Sequence, residues 1–228
     1  MRHNGGAKMR QLKKVELAEG YREAYESVPQ ELLELDFRLT IRTMQALSKG
    51  EPISPAELAT LWEVPLEQVQ SVLEAAVANG NAEIDSEGNL VGGILSLNPT
   101  SHRVSMDEQQ LFAWCAYDAI YAPGVVGKTA HIESQDPGTG TTVRVAVSPE
   151  GIEDVQPEGA VVSIVAGGTD MRGGPDSPRC TQMLFFESRE SANEWLAGRS
   201  DVAILTVEEV FELTDEFQIK PARRLGLI

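Results

Sequence analysis

A thiol and a carboxyl group lie close together near the middle of the chain, at Cys115 and Asp118. The segment 108–121 has a helical composition, and residues three apart on a helix share one face. An anionic neighbour raises the pKa of a thiol, which does not suit ordinary nucleophilic catalysis. The pair fits better a site where sulfur binds a soft metal while the carboxyl group manages protons. Splitting a carbon–metal bond needs a soft sulfur ligand for the metal and a proton donor, because the leaving carbon must be protonated.

The chain contains two cysteines, Cys115 and Cys180. This number is too small for the disulfide framework of a small secreted protein. Free cysteine often behaves as a small buried hydrophobe, and composition alone favours that interpretation over a chemical role.

Other catalytic signatures are missing from the sequence. His3, His102 and His131 show no ligand spacing, and there is no Cys-x-x-Cys and no Gly-x-Ser-x-Gly motif. Zinc enzymes, thiol redox proteins and serine hydrolases are therefore disfavoured. The stretch 122–129 is reminiscent of a phosphate-binding loop, but it has alanine at the first glycine position and follows a predicted helix instead of a strand.

The charge balance is strongly acidic, with 19 Lys and Arg against 35 Asp and Glu and a formal net charge of −16. Nucleic-acid binders gain affinity by neutralising phosphates, so a nucleic-acid partner is disfavoured. The longest apolar runs, such as 160–166, are too short to span a bilayer. The basic segment 1–14 lacks the apolar centre of a secretory signal. We expect a cytoplasmic protein with no membrane partner.

The pattern along the chain predicts three parts and an α+β fold. Residues 1–30 read as an N-terminal extension. Residues 31–106 predict a winged-helix-like unit, with helices near 37–47, 54–61 and 66–79 followed by a hairpin at 82–91. The third of these helices carries Glu67 and Glu74 and no Lys or Arg, which favours a structural role over DNA recognition.

Residues 107–228 predict a mixed α/β catalytic domain packed against the helical unit. Predicted strands lie at 129–133, 142–147, 160–166, 182–186 and 202–207. Predicted helices lie at 108–121, 191–195 and 210–217. The Gly- and Pro-rich segment 167–179 predicts a lid or binding loop directly before Cys180.

The run LFAWCAYD at 111–118 closely resembles the active-site helix of the organomercurial (alkylmercury) lyases. The resemblance continues through GKTA at 127–130, VSP at 147–149 and VQPEG at 155–159. It reaches Cys180, which precedes Phe185 by five residues, as the second catalytic cysteine of the family does. It covers roughly 32–217, because Trp195 and the strand at 202–207 also fit. Several separated landmarks fall in order, which makes the resemblance specific.

The resemblance implies an enzyme that cleaves the carbon–mercury bond of R–Hg⁺ by protonolysis, as part of mercury detoxification. Cys115 and Cys180 would bind mercury as thiolates, and the acidic site with Asp118 would supply the proton to R. Hg²⁺ would remain on the two sulfurs, with Asp118 as a weaker contact. No organic cofactor is implied. Cytosolic thiols or a mercuric reductase would then accept the Hg²⁺.

The sequence also departs from the family pattern around the expected site. Many relatives have a further cysteine where this chain has 134–136, and a cysteine where it has Thr181. An aromatic residue commonly precedes the second catalytic cysteine, and here that residue is Arg179, which bears on how the organic group is held. Phe112 and Trp114 are candidate pocket walls, and plain core packing explains them equally well.

Two other functions remain open at this stage. A noncatalytic relative would only sequester Hg²⁺ or another soft ion, but holding the metal needs the sulfurs alone and leaves Asp118 unexplained. A winged-helix metal sensor would need a basic DNA-binding face, which the predicted helices lack.

Overall fold

The computed structural model describes residues 12–166, 174–197, 199 and 201–228. The helices are α1 (Lys14–Glu26), α2 (Gln30–Leu47), α3 (Pro55–Trp62), α4 (Leu66–Ala78), α5 (Ala116–Val126), α6 (Arg189–Trp195), α7 (Val207–Thr214) and α8 (Lys220–Arg224). The strands are β1 (Glu83–Ile84), β2 (Leu90–Gly93), β3 (Leu95–Ser96), β4 (His102–Met106), β5 (Gln109–Ala113), β6 (Ala130–Gln135), β7 (Thr142–Ser148), β8 (Gly151–Gln156), β9 (Val161–Val165), β10 (Phe185–Phe186) and β11 (Val202–Thr206). Cys180–Gln182 form a short 3-10 turn, and Asp215–Ile219 form a π-helical turn between α7 and α8.

Two antiparallel sheets surround a buried helix. The larger sheet has the order β1-β2-β3-β5-β4-β6-β7-β8, and the smaller has the order β10-β9-β11. At the centre of the larger sheet, Val104 of β4 pairs with Leu111 on one side and Ile132 on the other, and all three side chains are buried. Helix α5 packs against this sheet and contacts α2 and α7 on its other side. Its apolar character all round is typical of a fully buried helix.

These elements confirm a mixed α/β fold, but the predicted helix at 108–121 is wrong in its first half. Residues 109–113 form β5, which pairs with β4 across a tight turn where Asp107 has a φ of 51°. Leu111 and Ala113 are buried while Phe112 between them is only half-buried, the alternation expected of a strand. The short apolar and aromatic run 111–117 hid this alternation, because such a run is compatible with either a strand or a helix.

The described part of the N-terminal extension is packed onto the rest of the molecule. Residues 1–11 lie outside the described part. In α1, Leu17 and Tyr21 are fully buried. The Tyr21 ring stacks on the ring of Tyr117 in α5, with centroids 6.2 Å apart and planes inclined by 8°. Two ion pairs, Lys14 with Glu212 and Arg22 with Glu216, join α1 to the segment that begins with α7. This packing was not predicted, because only a few large side chains anchor this otherwise polar helix.

Helices α2, α3 and α4 and the hairpin β1–β2 occur in the predicted order. Helix α3 begins with a capping box: Ser54 Oγ accepts from the backbone of Glu57, and the Glu57 carboxylate accepts from the backbone of Ser54. The hairpin strand β2 is part of the larger sheet, which continues through β4 and β5 on either side of the predicted boundary at 106/107. A winged-helix identity for this unit stays a prediction.

Two further predictions concern the loop before Cys180 and the absence of a membrane-spanning segment. Of the predicted binding loop 167–179, residues 167–173 lie outside the described residues, and 174–179 lead directly into the turn that carries Cys180. Among the helices that the structure describes, none combines the length and the apolar character needed to cross a bilayer.

Candidate active site

The structure brings the three predicted chemical groups together. The Sγ atoms of Cys115 and Cys180 and a carboxylate oxygen of Asp118 all lie within 4.8 Å of one another. Both thiols are free and buried, although the two cysteines are far apart in sequence. Two sulfurs and one oxygen at this separation can bind a single soft metal ion.

Cys115 lies at the junction between β5 and α5. It is the residue before the first turn of the helix, with extended backbone angles (φ −148°, ψ 173°). Its carbonyl oxygen accepts from Ala119 N at 3.0 Å, and Asp118 lies in the first turn. The two side chains therefore approach each other across a helix start, and not along one face of a long helix as predicted. A strand end joined to a buried helix start fixes the backbone of both residues.

Cys180 begins the 3-10 turn that follows residues 174–179. Its backbone N–H donates to Ser177 Oγ at 3.0 Å. Met183 closes the turn by donating its N–H to Cys180 O at 3.2 Å, and the Met183 carbonyl oxygen accepts from Ala116 N at 2.9 Å. The segments that carry the two cysteines are thus hydrogen-bonded to each other through Met183.

The two thiols have opposite proton affinities. Burial raises the pKa of Cys115 well above its ordinary value, and its hydrogen bond with Cys180 and the charge of Asp118 raise it further. The hydrogen bond from Cys115 lowers the pKa of Cys180 to about 6, and a hydrogen bond from Ser177 and the charge of Arg179 act in the same direction. Near neutral pH, Cys180 is therefore a thiolate and Cys115 a thiol.

Asp118 retains its proton at neutral pH. Burial, followed by the negative charge of Cys180, raises the pKa of this carboxyl group to about 8. The side chain is half-buried where it lines a cavity, and the protein groups around it disfavour its charged form. The site thus holds one soft anion and two transferable protons.

The cavity beside these groups has a volume of about 250 Å³ and a wall of aromatic and polar side chains. The aromatic part is formed by Tyr25, Phe37, Trp114, Tyr117 and Tyr121, and the polar part includes Asp36, Thr40, Asn81, Arg179 and Gln218. Trp114, one of the two predicted pocket walls, lines this cavity and follows the end of β5. Phe112 does not line it, because its side chain lies on the face of β5 opposite to the buried Leu111 and Ala113, in a depression that Arg103 and Glu133 also line.

Sequence reasoning missed the part of the cavity wall that comes from α1 and from the end of the chain. Tyr25 lines the cavity, and its hydroxyl oxygen accepts from Gln218 Nε2 at 2.5 Å. Arg179 Nη2 donates to the Tyr21 hydroxyl at 2.7 Å, and its guanidinium carbon lies 5.3 Å from the Tyr21 ring centroid. The signal that was available is the spacing of Tyr21 and Tyr25, two aromatic residues four apart on one face of a polar helix.

Comparison with known proteins identifies relatives across most of the chain. The sequence model of one family, described as alkylmercury lyase, matches residues 95–218. An alkylmercury lyase of Staphylococcus epidermidis is 38% identical over 170 residues, which cover 75% of this chain and 76% of that protein. An alkylmercury lyase of Streptomyces lividans is 34% identical over 176 residues, which cover 75% and 77%.

A solved structure supports the same grouping at the level of the fold. The crystal structure of the mercury-bound form of MerB2 superimposes with a TM-score of 0.71 at 22% identity, covering 90% of this chain and 98% of that one. The family match spans β3 to the π-helical turn and includes Cys115, Asp118 and Cys180. The chain belongs to the alkylmercury lyase family.

Proposed function

We propose that the protein cleaves the carbon–mercury bond of R–Hg⁺ by protonolysis and yields R–H and Hg²⁺. The observation that carries this proposal is the triad itself: the Sγ atoms of Cys115 and Cys180 and a carboxylate oxygen of Asp118 lie within 4.8 Å of one another. The lowered pKa of Cys180 and the raised pKa values of Cys115 and Asp118 support it. A site built to store a metal needs only the sulfurs. A proton on a buried carboxyl beside them suits a reaction that protonates carbon.

The first step is capture of mercury by Cys180. Its thiolate is the soft anion in the site, and it displaces the ligand X⁻ that R–Hg carries in solution. A Hg–S bond forms and a Hg–X bond breaks, which leaves R–Hg–S on Cys180. The aromatic cavity wall then encloses R.

The second step couples sulfur binding to proton transfer. Cys115 binds the same mercury atom and gives up its proton to Asp118, while Asp118 delivers its own proton to the carbon of R. The Hg–C bond breaks and its electron pair forms the new C–H bond. The products are R–H and Hg²⁺ held by two thiolates, and Asp118 is again protonated. Electron donation from two sulfurs weakens the Hg–C bond, which explains why a single cysteine is insufficient.

Release of Hg²⁺ requires thiols from outside the protein. Two thiolates in a buried site hold a soft cation strongly, so ligand exchange with small cytosolic thiols or with the thiol pair of a mercuric reductase is the route we propose. A reducing cytoplasm provides such thiols and keeps both cysteines reduced. The reaction consumes no organic cofactor.

We also propose that residues 31–106 form a winged-helix-like unit with a structural role. Phe37 of α2 lines the cavity, so this unit helps to enclose the substrate. Its helix α4 exposes Glu67 and Glu74 and carries no basic residue, which disfavours DNA binding by a metal sensor.

The test is hydrocarbon release. Purified protein is incubated with phenylmercury or methylmercury and excess thiol, and benzene or methane is measured. Cys115→Ala and Cys180→Ala should abolish turnover, and Asp118→Asn should lower it by about 10²- to 10⁴-fold, the range of general acid catalysis. Asp154→Asn, an exposed carboxyl on β8, is the matched control and should retain activity. Stoichiometric mercury binding by the wild type without hydrocarbon release would replace the lyase by a sequestering protein.

A further inference from the structure

The residue that joins the two cysteine segments also carries a sulfur atom. Met183 is buried and lines the cavity. Its Sδ lies 3.9 Å from Cys115 Sγ, in direct contact with one member of the triad. We propose that the Met183 thioether is a third sulfur contact for mercury, acting beside Cys115 and Cys180; this inference rests on the proposed function for its metal.

The backbone of Met183 is held by contacts on both sides. The Met183 carbonyl oxygen accepts from Ala116 N at 2.9 Å, next to Cys115, and its N–H donates to Cys180 O at 3.2 Å. The residue is therefore held between the two segments that carry the thiols, with its buried side chain lining the cavity. Core packing alone needs an apolar side chain here, but it does not need a sulfur in contact with a metal-binding thiol inside the cavity.

A thioether suits this site chemically because it is soft and uncharged. Soft sulfur donors bind soft metal ions, and methionine is polarizable and adapts its rotamer to an irregular space. The site already holds a thiolate beside a buried carboxyl, and a further anion there would be costly to desolvate. A neutral donor supports mercury while the Cys115 thiol exchanges its proton for the metal, and afterwards it helps to retain Hg²⁺.

Mercury-edge X-ray absorption on selenomethionine-substituted protein tests the contact directly. The six methionines become selenium atoms, and one equivalent of HgCl₂ is added. We expect a selenium neighbour of mercury in addition to two sulfurs, and we expect it to disappear in Met183→Leu, which keeps the volume and removes the sulfur. Two sulfurs with no selenium in the wild type would overturn the proposal.

Release kinetics provide a second readout. Transfer of Hg²⁺ to a large excess of small thiol should be faster in Met183→Leu by up to the order of tenfold, the low end of effects on metal affinity from residues that support a metal site. Met44→Leu, a buried methionine of α2 that does not line the cavity, is the matched control and should release at the wild-type rate. Equal release rates for all three proteins would contradict a metal contact.

These experiments test the Met183 contact with mercury independently of the proposed carbon–mercury cleavage. Both use HgCl₂ and need no carbon–mercury cleavage. A selenium neighbour in a protein that releases no hydrocarbon would leave Met183 a mercury ligand in a sequestering protein. Hydrocarbon release without a selenium neighbour would keep the lyase and remove the third sulfur.

Discussion

The two cysteines lie in regions that differ in secondary structure and in neighbouring polar groups. Cys115 lies between the larger sheet and a helix that is buried on nearly all sides, with Asp118 as its polar neighbour. Cys180 lies on a 3-10 turn at the end of a loop, within reach of the Ser177 hydroxyl and the Arg179 guanidinium. The first setting favours a neutral thiol, and the second favours a thiolate. Two identical side chains therefore supply a proton source and a soft anion, because their neighbours differ.

The largest effect we expect is a wide separation between the two thiol titrations. Cys180 titrates at about 6 and Cys115 well above its ordinary 9.0, a gap of more than about three pH units. The pH dependence of alkylation by iodoacetamide, followed by mass spectrometry of the two peptides, measures both midpoints. Alkylation of Cys180 should rise through pH 6, whereas that of Cys115 should rise only under alkaline conditions.

Unfolded protein provides the control for this titration, because both thiols then titrate near the same ordinary pKa. Coincident midpoints in the folded protein, or a lower midpoint for Cys115, would remove the contrast and with it the order of steps in the proposed mechanism.

The contrast shows which parts of the site could be predicted from sequence. Cys115 and Asp118 were found because residues three apart stay neighbours whether the backbone forms a long helix or only its first turn. Cys180 was identified through the family resemblance, by its spacing to Phe185. The difference in proton affinity was not predictable, because it depends on burial and on contacts that the fold creates between separate segments, such as the one from Cys115 to Cys180.

Errors in the fold have a similar physical origin. The strand β5 was predicted as part of a helix. Its five residues are too few to show a clear two-residue alternation, and the apolar residues that follow continue the run. The packing of helix α1 onto the rest of the molecule was not predicted, because its large anchoring side chains, such as Leu17, Tyr21 and Tyr25, are few. The strands 130–135, 142–148, 161–165 and 202–206 were predicted nearly in full, since each is a continuous apolar or alternating run between turn residues.

A smaller effect concerns the stability contributed by Asp118. Its pKa is raised to about 8 in the folded protein from an ordinary 3.8. The folded state therefore binds this proton more tightly than the unfolded state, and the associated stability, complete below about pH 4, is lost as the pH rises to 8. Asp118→Asn removes this dependence. Relative to the wild type, the variant should gain roughly 3.6 kcal/mol of unfolding free energy between pH 5 and pH 8, because the slope is about 1.4 kcal/mol per pH unit and levels off near pH 8.

Urea unfolding of both proteins at pH 5 and pH 8 measures this difference. Asp154→Asn should follow the wild type at both pH values, because this carboxyl group is exposed. A constant difference between Asp118→Asn and the wild type at the two pH values would mean that Asp118 is already ionised in the folded protein and cannot be the proton donor.

The smallest effect should come from Arg179, the residue that stands where relatives commonly have an aromatic side chain. Its charge lowers the pKa of Cys180, but less than the hydrogen bonds from Cys115 and Ser177 do. Arg179→Leu should therefore raise the alkylation midpoint of Cys180 by less than about one pH unit. Tyr21→Phe keeps the charge and the ring and removes only the 2.7 Å hydrogen bond to Arg179, so its shift should be smaller still. If Tyr21→Phe shifts the midpoint as much as Arg179→Leu does, the position of the guanidinium matters more than its charge. Helix α1 would then tune the reactive thiolate in addition to lining the cavity through Tyr25.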